Sequence, residues 1–200
     1  MKHFLFVAIA VMMLTSCSNE KENPTQPIST EKSQFEEIKK RTVTHPKDAE
    51  AWQQLAELYE RAEMYREEVA ALNTVIALAP NNRAVYPKLA SAYSRLGQHP
   101  EAIKSYIIAI KHTPENPVLY NNIAVSYGKV GKIPEETAAL EKAISLRPRY
   151  ATARYNLGII RLRQGDRVRA LEQYREINTF DAGIAAALKK EIDAKGGLKK

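Results

Sequence analysis

Apolar and polar residues alternate with a helical period along most of this chain. Between Ala49 and Ile184, large apolar residues recur every three or four positions and are separated by charged or amide residues. Such spacing places the apolar side chains on one face of each of several successive amphipathic helices. The pattern therefore predicts an all-α protein.

The same pattern returns after 34 residues. Four prolines stand at that spacing: Pro46, Pro80, Pro114 and Pro148. Proline suits the end of a helix, because it lacks an N–H and disfavours the α conformation of the residue before it. When each unit is counted from residues 49, 83, 117 and 151, position 8 is always small: Ala56, Ala90, Ala124 and Gly158. The chain is thus predicted to contain four repeats of two helices each.

These residues resemble the tetratricopeptide repeat (TPR), a 34-residue helix–turn–helix unit that stacks on copies of itself. The likeness is carried by aromatic residues at positions 4 and 11, the small residue at position 8, and Gly97, Gly131 and Gly165 at position 15. Arg154 and Arg161 replace the aromatic residues of the last repeat, and terminal repeats are often atypical. The resemblance implies a right-handed α-solenoid that serves as a binding scaffold.

The repeats define the organisation of the chain. Residues 49–82, 83–116, 117–150 and 151–184 are predicted to be TPR 1 to TPR 4. Residues 34–48 predict an N-terminal half-repeat helix with Phe35, Ile38 and Thr42 on its apolar edge, and residues 185–200 predict a C-terminal capping helix and tail. Residues 17–33 are rich in polar residues and proline, which is typical of a flexible tether.

Residues 1–16 are typical of a signal peptide. Lys2 and His3 precede an apolar run of 11 residues that ends at Leu14, which is too short to span a bilayer. The sequence Leu-Thr-Ser-Cys ending at Cys17 resembles the bacterial lipobox, which implies cleavage before Cys17 and its lipidation with fatty acids such as palmitate. An ordinary cleaved signal peptide and an uncleaved anchor are the alternatives.

The residue after the lipidated cysteine bears on the location. By analogy with lipoprotein sorting in Gram-negative cells, Ser18 implies the periplasmic face of the outer membrane. A Gram-positive host would instead place the protein on the outer face of its only membrane.

Charge is distributed unevenly along the repeats. The net charge is +7; the first repeat carries −4, the later repeats carry +2 or +3 each, and residues 185–200 carry +3. Such a gradient can orient a charged partner. The export signal, the absence of a nucleic-acid-binding motif and the Glu residues among the Lys and Arg exclude nucleic acid as the expected partner. An alternative function is a surface-binding module whose basic C-terminal end, with Lys189, Lys190 and Lys195, grips anionic cell-wall polymer or lipid.

The TPR resemblance implies that the first helix of each repeat lines a concave groove. The candidate peptide-binding residues there are Gln54, Lys88, Asn121, Asn122, Val125, Tyr155, Asn156 and Ile159. Amides at position 6 can bond the backbone of an extended peptide, since an amide both donates and accepts, or they can bond within their own helix pair. Near the last repeat the groove turns apolar, and the C-terminal helix either covers this part or leaves it open.

No pattern of catalytic residues is present. His3, His45, His99 and His112 have no metal-ligand spacing, and the chain has a single cysteine. Glutamate pairs at 67–68 and 135–136 fall in the first turn of second helices, where the helix dipole favours acids. We therefore expect a membrane-anchored, non-catalytic scaffold that recruits a protein or peptide in the envelope. It is expected to need no cofactor or metal and to have no small-molecule substrate.

Overall fold

The computed structural model describes residues 28–196, which form helices joined by short turns. The predicted signal peptide, the lipidation site Cys17 and most of the predicted tether lie outside these residues. Within the described range no helix is both long and apolar enough to cross a bilayer. The helices are α1 (Ile28–Thr44), α2 (Ala49–Arg61), α3 (Tyr65–Leu78), α4 (Val85–Arg95), α5 (His99–His112), α6 (Pro117–Lys129), α7 (Ile133–Leu146), α8 (Ala151–Arg163), α9 (Arg167–Asn178) and α10 (Ala182–Gly196).

The helices stack in chain order as four helix–turn–helix repeats. In each repeat the first helix (α2, α4, α6 or α8) packs on the second (α3, α5, α7 or α9), and the second packs on the first helix of the next repeat. The first helices α4 and α6 also contact each other, whereas two second helices within the described residues do not contact each other to the same degree. The first helices therefore lie on the inner, concave side of the stack.

The core forms where the repeated sequence positions predict it. The small residues at position 8 are buried in all four repeats, and the large residues Leu72, Tyr106 and Leu140 at position 24 are buried in the first three, whereas Tyr174 of the last repeat is half-buried. Close approach of two helices needs small side chains at the crossing point and large ones beside it. This part of the prediction is confirmed, and it sets the register of all four repeats.

Each first helix ends in the same tight turn. The N–H of the residue after position 15 donates to the carbonyl five residues earlier, over 2.8 to 2.9 Å, as in a Schellman motif. Position 15 has φ of 73°, 76° and 80° at Gly97, Gly131 and Gly165, and 56° at Glu63. Left-handed backbone costs an L-residue about 1–2 kcal/mol, so the first repeat carries strain that the others avoid.

Two of the periodic prolines, Pro46 and Pro148, also accept hydrogen bonds from side chains at position 4. Trp52 Nε1 donates to the carbonyl of Pro46 over 3.0 Å, and Arg154 Nε donates to the carbonyl of Pro148 over 2.8 Å. Arg154 thus supplies, in the last repeat, the N–H that the indole supplies in the first. The arginine that departs from the aromatic pattern preserves this contact.

The two ends of the stack differ from the predicted boundaries. Helix α1 begins at Ile28, six residues before the predicted start at 34, because no proline or glycine interrupts the sequence after Pro27. Its Phe35 ring meets the Tyr59 ring edge-on at 5.5 Å. Helix α10 begins at Ala182 rather than at 185, since the Asp181 carboxylate accepts from the N–H of Ile184 over 2.9 Å and so caps the helix.

Candidate functional site

The predicted groove residues of the first two repeats bond to neighbouring side chains. Gln54 Nε2 donates to Glu50 Oε1 over 3.2 Å within α2. Lys88 Nζ on α4 donates to Glu57 Oε1 on α2 over 2.7 Å, and both side chains are partly exposed. Such exposed pairs contribute little stability, so in this half of the groove they mainly set the local arrangement of charge.

The predicted asparagines form a chain of amides between α6 and α8. Asn156 Nδ2 donates to Asn121 Oδ1 over 3.1 Å, and Asn121 Nδ2 donates to Asn122 Oδ1 over 3.1 Å. Asn121 is only 6% exposed, so it has almost no surface for a partner and acts within the scaffold. The amides therefore bond inside the protein, and the Asn156–Asn121 bond joins two repeats rather than one helix pair.

A buried polar cluster lies behind these amides. Ser94 Oγ and Ser126 Oγ are 2.8 Å apart and link α4 to α6. Burial raises the pKa of the Tyr106 hydroxyl, and the polar side chains of Ser94, Asn122 and Ser91 act in the opposite direction. Polar contacts of this kind between helices fix how adjacent repeats sit on each other.

Helix α10 covers the apolar end of the predicted groove. Tyr155 and Ile159 of α8 are half-buried against a cluster that includes Leu162 of α8 and Leu188 and Ile192 of α10. The packing is close, because a Cβ added to Gly158 would lie 2.7 Å from Leu188 Cδ2. The C-terminal helix therefore covers part of the apolar end of the groove, and Tyr155 and Ile159 stay half-buried.

One part of the groove stays open. A cleft of about 240 Å³ lies between α6, α7 and α8, and we call it the α6–α8 cleft. It brings three of the predicted residues together, Val125, Asn156 and Ile159, and Val125 is 44% exposed. Its lining consists of Ala124, Val125, Gly128, Lys129, Glu136, Leu140, Asn156, Ile159 and Arg163.

A buried carboxylate, which the sequence analysis attributed to the helix dipole, lines this cleft. Glu136 is 5% exposed; its Oε1 accepts from Arg163 Nη2 over 2.9 Å, while its Oε2 has no hydrogen-bond partner among the described residues. Gly128 makes room for it, because a Cβ there would lie 2.5 Å from Glu136 Oε1. The sequence offers one clue that Glu136 is unusual. At position 20, repeats 1 and 3 carry glutamate, whereas repeats 2 and 4 carry Ala102 and Ala170.

The equivalent glutamate of the first repeat is also buried. Glu68 is 2% exposed, and its Oε2 likewise has no hydrogen-bond partner among the described residues. Burial, with a smaller contribution from Glu60, raises its pKa from 4.5 to about 7, against the opposing effects of Lys88 and Arg95. Unlike Glu136, it has no ion-pair bond in the described structure to an arginine of the next repeat.

The basic C-terminal helix is partly neutralised by its own residues. Lys189 Nζ donates to Asp193 Oδ2 over 2.6 Å, and Arg167 Nη2 lies 3.4 Å from Asp193 Oδ1. Hydrogen bonding from Lys189 is the main reason why the pKa of Asp193 is lowered. Lys190 and Lys195 remain exposed. Within residues 28–196, no three His, Cys, Asp or Glu side chains are grouped as a metal site requires.

Three family models match the chain. A model described as tetratricopeptide repeat matches residues 49–82, one described as TPR repeat matches residues 92–131, and another tetratricopeptide repeat model matches residues 122–183. Among curated proteins, none matches the sequence.

Several solved structures have the same fold. MamA from Desulfovibrio magneticus RS-1 is 17% identical, with 78% of this chain and 88% of that chain covered and a TM-score of 0.73. YrrB, described as a TPR protein with an unusual peptide-binding site, is 18% identical, with 82% and 85% covered and a TM-score of 0.72. TTC0263, a thermophilic TPR protein of Thermus thermophilus, is 19% identical, with 86% and 93% covered and a TM-score of 0.60. With the family matches and the repeated turns, these likenesses identify the chain as an all-α solenoid of tetratricopeptide repeats.

Proposed function

We propose that this chain is a membrane-anchored, non-catalytic scaffold of the bacterial envelope that binds an extended peptide or a helix in its concave groove. The observation that carries the proposal is the open α6–α8 cleft. There, exposed Val125 lies beside Ile159 and the amide of Asn156 on the inner side of the stack. Exposed apolar surface rimmed by polar groups is typical of partner-binding sites.

Binding in this cleft draws on two kinds of contact. An apolar side chain of the partner buries surface against Val125 and Ile159, which contributes about 25 cal/mol per Å² removed from water. Asn156 uses its Nδ2 to bond Asn121, and its Oδ1 can accept from the partner. The amide chain and the Ser94–Ser126 contact hold the first helices in place, so little conformational entropy is lost on binding.

The comparison with YrrB supports this use of the fold. That protein is described as a TPR protein with an unusual peptide-binding site, and its solenoid superposes on this one with a TM-score of 0.72. At 18% identity its site residues do not transfer. The candidate residues here are therefore those that the α6–α8 cleft brings together.

Anchoring rests on Cys17 and the lipobox-like residues before it. In cells that grow on a labelled fatty acid, we expect the full chain to incorporate label and to fractionate with membranes. Cys17→Ser removes the thiol to which the lipid is attached, so this variant is expected to lose the label. A matched Ser18→Ala variant should keep it. Undiminished labelling of the Cys17→Ser chain would overturn the lipid anchor.

The groove itself can be tested with peptides selected from a displayed library on the purified protein. We expect Val125→Lys to lower the affinity for the tightest-binding peptide about tenfold, because one buried apolar contact contributes at least about 1.4 kcal/mol. Fluorescence polarisation measures the affinity. Ile107→Lys is the control, since Ile107 is 52% exposed on second helix α5. If both substitutions have the same effect, or if Val125→Lys has none, the peptide does not occupy the cleft.

A further inference from the structure

We propose that the α6–α8 cleft is a subsite for an uncharged carboxamide, the side chain of an asparagine or glutamine of the bound segment. The inference rests on the proposed function, because the segment in the groove delivers this side chain. It concerns Glu136 and Arg163, whose ion pair lines the cleft. Glu136 was not among the candidate binding residues of the sequence analysis.

Packing alone does not require a glutamate at this position. In repeats 2 and 4 the equivalent residues, Ala102 and Ala170, are both 0% exposed. Those repeats therefore close their helix pairs around a methyl group. Glu136 places a carboxylate where the fold accepts an alanine.

The neighbouring helix is shaped to accommodate this carboxylate. Gly128 faces Glu136 from α6, and a Cβ there would lie within 2.5 to 2.9 Å of the whole carboxylate group. Gly128 lies in the last turn of α6, where alanine is the better helix former. Glycine at this position therefore favours the α6 helix less than alanine would, and its missing Cβ makes room for the Glu136 side chain.

The ion pair leaves one oxygen of Glu136 unsatisfied. Arg163 Nη2 occupies Oε1, and Oε2 is buried without a donor among the described residues. Arg163 itself is 45% exposed at its side chain, so its guanidinium keeps N–H groups directed elsewhere. A buried acceptor without a donor costs about 1–3 kcal/mol, which a donor from a ligand would recover.

The charges around the cleft favour an uncharged ligand. Arg163 balances Glu136, and Lys129 adds a further positive charge to the lining. A lysine or arginine of the partner would be a third cation, and a carboxylate of the partner, although attracted by Arg163 and Lys129, has no N–H to donate to Glu136 Oε2. A carboxamide donates an N–H to the glutamate and accepts from the guanidinium, so it matches both members of the pair.

The size of the cleft also fits. A cavity of about 150 Å³ holds a benzene molecule, so about 240 Å³ holds the side chain of a glutamine. Its methylene groups would pack between Val125 and Ile159 while the amide reaches Glu136. Because Oε2 is buried, the Glu136 side chain has to turn toward the cleft when the amide binds.

The test uses butyramide as the probe and methyl NMR of Val125 and Ile159 as the readout. We expect butyramide to shift both methyl resonances at concentrations about fivefold lower than butylammonium or butyrate, because only the amide pairs with both charged groups. Glu136→Gln should weaken butyramide about fivefold, because a charge-assisted hydrogen bond is roughly twice as strong as a neutral one. Glu135→Gln, on the exposed neighbouring residue, is the matched control and should leave binding unchanged.

A second variant covers the case in which Glu136→Gln does not fold. Gly128→Ala keeps the charge but displaces the carboxylate from its position, so it should weaken butyramide to a similar extent. Tighter binding of butylammonium or butyrate, equal binding to the Glu136→Gln protein, or no methyl shift would each overturn the inference.

Library peptides separate this inference from the function on which it rests. If the groove binds peptides that contain no asparagine or glutamine, and Glu136→Gln does not weaken them, the subsite fails and the groove stands. If butyramide binds as expected and no peptide is selected, the proposed function fails and the subsite stands. Peptides that place a backbone amide, rather than a side chain, at Glu136 would tolerate replacement of every asparagine and glutamine, and this result would also overturn the inference.

Discussion

Leu188→Ala is expected to lower the free energy of unfolding by about 3 kcal/mol, which is the middle of the range for a buried leucine. Leu188 is 0% exposed and belongs to the cluster that joins α10 to α8 and α9. Stability in a solenoid is close to a sum of repeat and interface contributions, so the loss falls on the C-terminal interface. Urea unfolding followed by circular dichroism measures the change in the free energy of unfolding of the whole chain. Hydrogen exchange should show the loss first in α8 and α10.

Gly158 provides a direct check that Leu188 of α10 packs on α8 at this glycine. Gly158→Ala would set a Cβ 2.7 Å from Leu188 Cδ2, so it is expected to cost about 1–3 kcal/mol through overpacking. In the double variant Gly158→Ala/Leu188→Ala the new methyl group enters the space that the leucine has left. The double variant should therefore lose less stability than the two single variants together.

The control for this double-mutant cycle is Gly183→Ala, because Gly183 lies on α10 as Leu188 does. A Cβ there meets only the Asp181 carboxylate, at 3.6 Å, so the substitution is expected to be neutral or to stabilise by up to about 1 kcal/mol. Strict additivity of Gly158→Ala and Leu188→Ala would contradict the packing of α10 on α8. A loss of less than about 1 kcal/mol in the free energy of unfolding of Leu188→Ala would also contradict this packing.

Glu68 is expected to make stability fall as pH rises from about 5 to 8. Its pKa in the folded protein is about 7, compared with 4.5 ordinarily. The folded state therefore holds this proton more tightly than the unfolded state between those values. Stability that is present below pH 4.5 is lost as pH rises through 7. One pKa unit corresponds to about 1.36 kcal/mol, so the loss from this group amounts to about 2–3 kcal/mol.

Glu68→Gln should remove this dependence. The amide stays uncharged at every pH, so the variant is expected to unfold at higher urea than the parent at about pH 8 and to differ little from it at about pH 5. The difference between the two pH profiles isolates Glu68 from the histidines and from the surrounding Glu60, Lys88 and Arg95. Glu67→Gln, on the exposed neighbour, should keep the slope of the parent. The same slope in the parent and in Glu68→Gln would show that the burial of Glu68 is not costly.

Most of the fold follows from periodicity. The 34-residue spacing fixes which residues are equivalent, and equivalence predicts the buried small residue at position 8 as well as the turn at position 15. These features depend on local helix and turn geometry, which each repeat satisfies in the same way. Even Arg154 keeps a role at its position, because its Nε donates to the proline carbonyl as the Trp52 indole does.

The binding surface follows less readily from sequence. Whether Asn121 faces solvent or Asn156 depends on how far one repeat turns relative to the next, and that angle arises from packing between repeats. The burial of Glu136 depends on the glycine at 128 in another helix, so neither residue alone predicts the cleft. The coverage of Tyr155 likewise depends on α10, whose docking uses the space at Gly158.

The most direct test of the central claim is photo-crosslinking in cells from position 125, in the open part of the groove. The full chain would carry a photoreactive amino acid in place of Val125 or, as a control, in place of Ile107 on the second helix α5. We predict that position 125 crosslinks to one short segment of a single envelope protein, that Ile159→Glu abolishes this adduct, and that position 107 does not form it. Identical adducts from both positions, or none from position 125, would contradict a partner-binding groove at the α6–α8 cleft.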